Sequence, residues 1–161
     1  MYIVRVFFLA LCVLVSLRAV ASAADAQQGA SSEAATYVGS AACKQCHDKE
    51  SDNFAKYSKK AHSRKNVEKM RSKLTKEELE ECYHCHTTGY GKAGGFVSYE
   101  KTPQLGDVGC ETCHGPGAAH AESGDPANIT RKPGVESCLV CHNAERIKNF
   151  NFRPLRYSGA H

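Results

Sequence analysis

A mainly α-helical domain with extensive loops is the fold class this sequence predicts, and three observations predict it. The pentapeptide Cys-x-x-Cys-His occurs four times, at Cys43 to His47, Cys82 to His86, Cys110 to His114 and Cys138 to His142. Each copy needs a helical turn or a tight equivalent if both sulfurs and the imidazole are to project the same way. Thr75 followed by Glu78 forms a capping box, which starts a helix over Lys76 to Cys85 running into the second copy. Glycine and proline punctuate the rest: Gly89, Gly91, Gly94, Gly95, Pro103 and Gly106 break the chain between the second and third copies.

Along the chain, Ala24 to Ala35 is rich in Ala, Ser and Gln without apolar periodicity and reads as a flexible leader, so that folded sequence begins at Tyr37 and Val38. Asp48 to His62 is a further helix candidate. Phe96 to Tyr99 is expected to form one short strand or edge. Gly115-Pro116-Gly117 stops the third pentapeptide's helix at once. Val135 to Ile147 is expected to be helical through the fourth. The copies form an imperfect repeat, their terminal histidines 39, 28 and 28 residues apart (47 to 86, 86 to 114, 114 to 142), with little shared sequence between them.

The N-terminus reads as a signal peptide over residues 1–23. Arg5 precedes an apolar run from Val6 to Leu17, and Ala21-Ser22-Ala23 supplies the cleavage pattern. The run is short for a bilayer span, so no stable membrane insertion is expected after cleavage. The domain organisation is thus a signal peptide, a leader over 24–36 and one domain over 37–161.

Cys-x-x-Cys-His is the pattern of c-type haem attachment: two thiols add to the haem vinyl groups and the adjoining imidazole reaches the iron. Cys43, Cys46, Cys82, Cys85, Cys110, Cys113, Cys138 and Cys141 are the expected attachment residues, and His47, His86, His114 and His142 the proximal iron ligands. The chain therefore reads as a multihaem cytochrome c with four covalently bound haems, exported because haem is joined to thiols outside the cytoplasm. Cys12 would leave with the signal, and no other thiol is spare. A zinc ribbon also uses Cys-x-x-Cys pairs but does not need a histidine at one fixed position four times. With 138 residues for four haems, the haems themselves are expected to supply much of the core.

Removing Arg5 and Arg18 from 21 basic residues leaves 19 against 17 acidic ones. Eight haem propionates would outweigh that difference, so net charge gives no nucleic-acid reading. The basic run from Lys56 to Lys76 holds nine Lys or Arg against Glu68 alone. It is either a solvated face that balances propionates or a docking surface for an acidic partner.

Four histidines lie outside the proximal positions: His62, His84, His120 and His161. A second imidazole on each iron would saturate it and keep its potential low. His62 and His120 are the better placed candidates. His161, the last residue, follows an apolar tail that includes Phe150, Phe152 and Leu155 and could dock it. His84 lies between Cys82 and Cys85 and cannot reach the distal face of its own haem; it either ligates another haem or is no ligand. Met70 lies in a charged, exposed-looking stretch.

The sequence resembles the tetrahaem cytochrome c-554 family. The resemblance lies in Tyr37-Val-Gly-Ser-Ala-Ala-Cys43 through His47, Cys82 through His86 with Thr87-Thr88-Gly89, Gly109-Cys110 through His114 with Gly115-Pro116-Gly117 and His120, and Cys138 to His142. It implies a mainly helical, loop-rich fold around closely packed haems and a periplasmic electron carrier. It further implies that His120 ligates haem 1, His62 ligates haem 3, haem 2 can be five-coordinate, and His161 is left for haem 4. The expected function is single-electron transfer between redox protein partners. Two alternatives stand beside it: a small reductase acting on a nitrogen oxide at an open haem 2, with Glu111 and Glu122 as candidate acids, and a subunit of a haem filament.

Overall fold

The computed structural model describes residues 36–146, so the signal segment, most of the leader, and the tail from Ile147 to His161 lie outside the described residues. In chain order the α-helices are α1 (Ser40–Cys43), α2 (Asp48–Tyr57), α3 (Arg64–Met70), α4 (Lys76–His86), α5 (Cys110–His114), α6 (Ala118–Ser123) and α7 (Val135–Leu139), with 3-10 turns at Lys59–His62, Arg71–Lys73, Pro103–Leu105 and Pro126–Asn128. Helices and loops make up the described residues, as the glycine and proline pattern predicts. Among those residues no helix is long and apolar enough to cross a membrane.

Helix α4 starts where its capping box predicts. Thr75 Oγ1 accepts from the Glu78 amide at 3.2 Å, and the Glu78 carboxylate accepts from the Thr75 amide at 2.9 Å. Glu77 and Glu78 in the first turn complement the positive end of the helix dipole. The helix then runs through the second haem motif to His86.

The helix expected over Asp48 to His62 is interrupted. Ser58 is extended (φ −94°, ψ 118°) and its amide closes α2 onto Phe54. The chain restarts as a 3-10 turn, a break that lets Ser63 and Val67 turn inward, with 5% and 3% of their surface exposed. The helix expected to reach Ile147 is also shorter. It ends at Leu139, and at Asn143 the side chain accepts from the Arg146 amide at 3.2 Å, a local turn that competes with helix.

The third correction concerns Phe96 to Tyr99, which form no strand. Phe96 donates its amide to Thr88 at 3.0 Å and Val97 donates to Thr102 Oγ1 at 2.8 Å, so the backbone is satisfied by loop contacts instead of a ladder. The side chains build the core: Tyr37, Val67, Tyr83, Phe96, Tyr99 and Leu105 are buried together, with Leu79, Cys82 and Tyr90 packed around them. Tyr83 of α4 meets Tyr90, Phe96 and Tyr99 edge-on at 5.4, 5.1 and 5.7 Å between ring centroids. Such pairs are worth about 0.5–1.5 kcal/mol each beyond their burial. This cluster fixes α4, and with it the second motif, from within.

The basic run lies along α3 and its flanks. Arg64 pairs with Glu68 at 2.7 Å and stacks over Tyr99 at 4.5 Å, Arg71 reaches Glu100 at 3.7 Å, and Lys76 reaches Glu80 at 3.5 Å.

Candidate haem-binding site

All four pentapeptides contain a helical turn. In the first, the His47 amide donates to the Cys43 carbonyl at 2.9 Å; in the fourth, His142 donates to Cys138 at 2.8 Å, although α7 itself ends earlier. The second and third lie within α4 and α5. Positions i, i+3 and i+4 of each turn therefore share one face, which puts two sulfurs and an imidazole side by side. Gly115, at φ +84°, ends α5 immediately after His114.

The motifs are neighbours in an order that differs from the chain order. The Cys43 thiol lies against the Cys110 thiol; their hydrogen bond raises Cys43 and lowers Cys110 to about 6. The third and fourth motifs pack through α5 and α7, and burial followed by the charge of Cys138 raises Cys113. The fourth meets the second, where the Cys141 sulfur donates to the His84 carbonyl at 3.8 Å. Burial, and then the Cys85 thiol, pushes Cys141 up to about 12. The spatial succession is 1, 3, 4, 2.

The histidines are held to different degrees. His114 Nδ1 lies 2.7 Å from the Thr130 carbonyl, and His120 Nδ1 lies 2.9 Å from the Asp125 carbonyl. A carbonyl there makes Nδ1 the protonated nitrogen and leaves Nε2 to face a metal. The His47 and His120 rings are 6.2 Å apart between centroids and within 24° of parallel. Two imidazoles that ligate one ion at about 2 Å from each nitrogen have ring centroids about 6 Å apart, so the spacing of this pair matches that of two ligands of one iron, while the stacked contact leaves the direction of the nitrogens unset.

His86 is held through its backbone: its carbonyl accepts from Ser63 Oγ at 2.8 Å, while its Nδ1 is buried without a hydrogen-bond partner. Burial, then the charge of Lys60, lowers His142. His62 lies at the end of its 3-10 turn with Nε2 2.9 Å from the Ala55 carbonyl, so facing a metal through that nitrogen requires releasing this contact. His84 is exposed on α4, its ring edge-on to Tyr90 at 4.8 Å. Met70, 49% exposed, lies at the end of α3. His161 lies outside the described residues.

The residue after the first cysteine has a structural role that its sequence position does not signal. In the second motif this is Tyr83, the hub of the aromatic core. In the third it is Glu111, 2% exposed, whose carboxylate accepts from the amides of Val38 at 3.0 Å, Gly39 at 2.7 Å and Gly117 at 2.7 Å. Glu111, a candidate catalytic acid from sequence, is thus engaged by three backbone donors, and Glu122 is exposed on α6. Thr88 supplies a second brace. Its Oγ1 donates to the Asp107 carbonyl at 2.7 Å and accepts from the Gly109 amide at 2.8 Å, tying the end of the second motif to the start of the third.

Comparison with known proteins finds sequence relatives. The family described as "Cytochrome c554 and c-prime" matches residues 42–115. Cytochrome c-554 of Nitrosomonas europaea is 29% identical over 136 residues, an alignment covering 67% of this chain and 58% of that protein. The chain thus matches little more than half the length of that relative. No solved structure matches it.

Proposed function

We propose that this chain, similar over residues 42–115 to the family described as cytochrome c554 and c-prime, is a member of that family and a periplasmic tetrahaem c-type cytochrome that carries single electrons between redox protein partners. The observation that carries this reading is the unbroken succession of contacts among the four attachment motifs, through the Cys43 and Cys110 thiols, the packing of α5 on α7, and the Cys141 sulfur on the His84 carbonyl. In it the pairs Cys43 and Cys46, Cys82 and Cys85, Cys110 and Cys113, and Cys138 and Cys141 each hold one haem. Haem bound in this way supplies a one-electron couple whose potential is set by its axial ligands and surroundings.

His47, His86, His114 and His142 are the proximal ligands in this proposal, and His120 faces His47 across the first site. The Thr130 and Asp125 carbonyls orient His114 and His120 and make their Nε2 atoms better donors. His62 is assigned to the third site by family likeness, and His161 is left for the fourth by elimination. Periplasmic location follows from the export signal read in residues 1–23 together with the chemistry of haem attachment.

Expression in a host that exports and matures c-type cytochromes tests the reading. Intact-mass spectrometry is expected to show four haems and no free thiol, and reduced protein is expected to bind nitric oxide at one haem at most. Nitric oxide binding at three or four haems would instead favour substrate chemistry over electron carriage.

A further inference from the structure

We propose that Glu111 is the positioning residue for the His47–His120 pair, an inference that rests on reading those two histidines as axial ligands of one iron. Its carboxylate joins the entry to α1 and the start of α6 to α5, beside the Cys110 amide that donates to Ser40 Oγ at 3.2 Å. The Val38 and Gly39 amides lie at the entry to α1, which delivers the first motif and His47; Gly39 is the N-cap of that helix. The Gly117 amide is at the N-cap of α6, three residues before His120. Glu111 itself belongs to α5, the third motif.

One buried side chain therefore fixes the start of the segment carrying one imidazole against the start of the segment carrying the other. The Ala118 amide donates to the Thr36 carbonyl at 3.2 Å, a direct backbone link between these two segments next to the Gly117 amide that the carboxylate holds. The position is tight as well as bonded. A side chain on Gly117 would begin 3.1 Å from Glu111 Oε1, so the carboxylate occupies the space that this glycine leaves. Three N–H donors suit an ionised carboxylate, which only accepts. Removing it leaves three amides to find other partners in a buried place, and the segments they belong to are the ones that must hold two rings 6.2 Å apart.

The test uses the mature haem-loaded protein and reads spin state by electron paramagnetic resonance, with haem count and helical circular dichroism as controls. Glu111→Ala is expected to keep four haems and to convert one haem per molecule from low-spin to high-spin, with a matching gain of one carbon monoxide site after reduction. Glu111→Gln, whose amide oxygen can retain the Val38 and Gly117 bonds while its NH₂ opposes Gly39, is expected to show a smaller high-spin fraction than Glu111→Ala. His120→Ala provides the reference. If it yields one high-spin haem and Glu111→Ala yields none, the positioning role is overturned while the ligand assignment stands. If His120→Ala leaves every haem low-spin, the ligand assignment itself fails. Should Glu111→Ala not mature, Glu111→Gln decides, and a wholly low-spin Glu111→Gln overturns the proposal.

Discussion

Gly89 follows the second motif at φ +73°, and a Cβ built there would lie 2.8 Å from the Tyr37 ring. Both the left-handed backbone and the contact oppose any larger residue, so Gly89→Ala is expected to cost about 2 kcal/mol or more. Thermal denaturation of the holoprotein should show a lowered midpoint, and an unchanged one would mean that Tyr37 can move aside. Tyr99 makes a pH-dependent contribution of known sign. Burial, then the neighbouring Tyr83, raises it from 10.0 to about 12, and its hydroxyl is buried without a hydrogen-bond partner among the described residues. With the folded value above the unfolded one, its stabilisation is fully present below about pH 10 and is lost as the pH rises toward 12. Denaturant midpoints should fall across that window in the wild type and less in Tyr99→Phe, which removes an unpaired hydroxyl at little cost. At this scale the four Cys-x-x-Cys-His copies were legible because the attachment chemistry expected of them fixes their spacing. Tyr83 and Glu111 were not, since a residue between two cysteines carries no local sign of facing inward; the Glu111 bonds to Val38 and Gly39 span 73 and 72 positions.

Helix α4 is the element whose start the sequence specified most closely, because a capping box is a contact between residues three apart and needs no tertiary context. Thr75→Ala should cost about 1 kcal/mol, read as a lower denaturant midpoint, while Glu78→Gln, which can still reach the Thr75 amide, should cost less. The Gly-Pro-Gly stop after α5 was legible for the same local reason. Of the three elements that departed from expectation, the helix expected to reach Ile147 yields to a local turn at Asn143, and the other two depend on partners elsewhere in the chain. Phe96, Val97 and Tyr99 have strand-forming side chains, yet two of the three serve the aromatic cluster around Tyr83, and the backbone amides of Phe96 and Val97 go to Thr88 and Thr102. The break at Ser58 follows from the need to bury Ser63 and Val67, and Ser63 in turn donates to the His86 carbonyl 23 residues on. Neither partner is visible in a window of helical length.

At the scale of the whole molecule, the contacts bring the first motif to the third and the fourth to the second, pairs that the chain separates, while the third keeps its sequence neighbours, the second and the fourth, beside it. That arrangement arises from long-range braces, Glu111 between the first and third motifs and Thr88 between the second and third, with the Cys141 contact closing the fourth onto the second. Four copies of the pentapeptide were readable in the sequence; their contacts were not, because nothing within a pentapeptide encodes its neighbour. On the proposed reading, four haems held at these copies would form a carrier that takes up several electrons one at a time. A spectroelectrochemical titration of the purified, haem-loaded protein tests this most directly. The expected result is reversible uptake of four electrons per chain in one-electron steps, with low-spin spectra predominating in both oxidation states; uptake of fewer than four, or a spectrum dominated by high-spin iron, would contradict it.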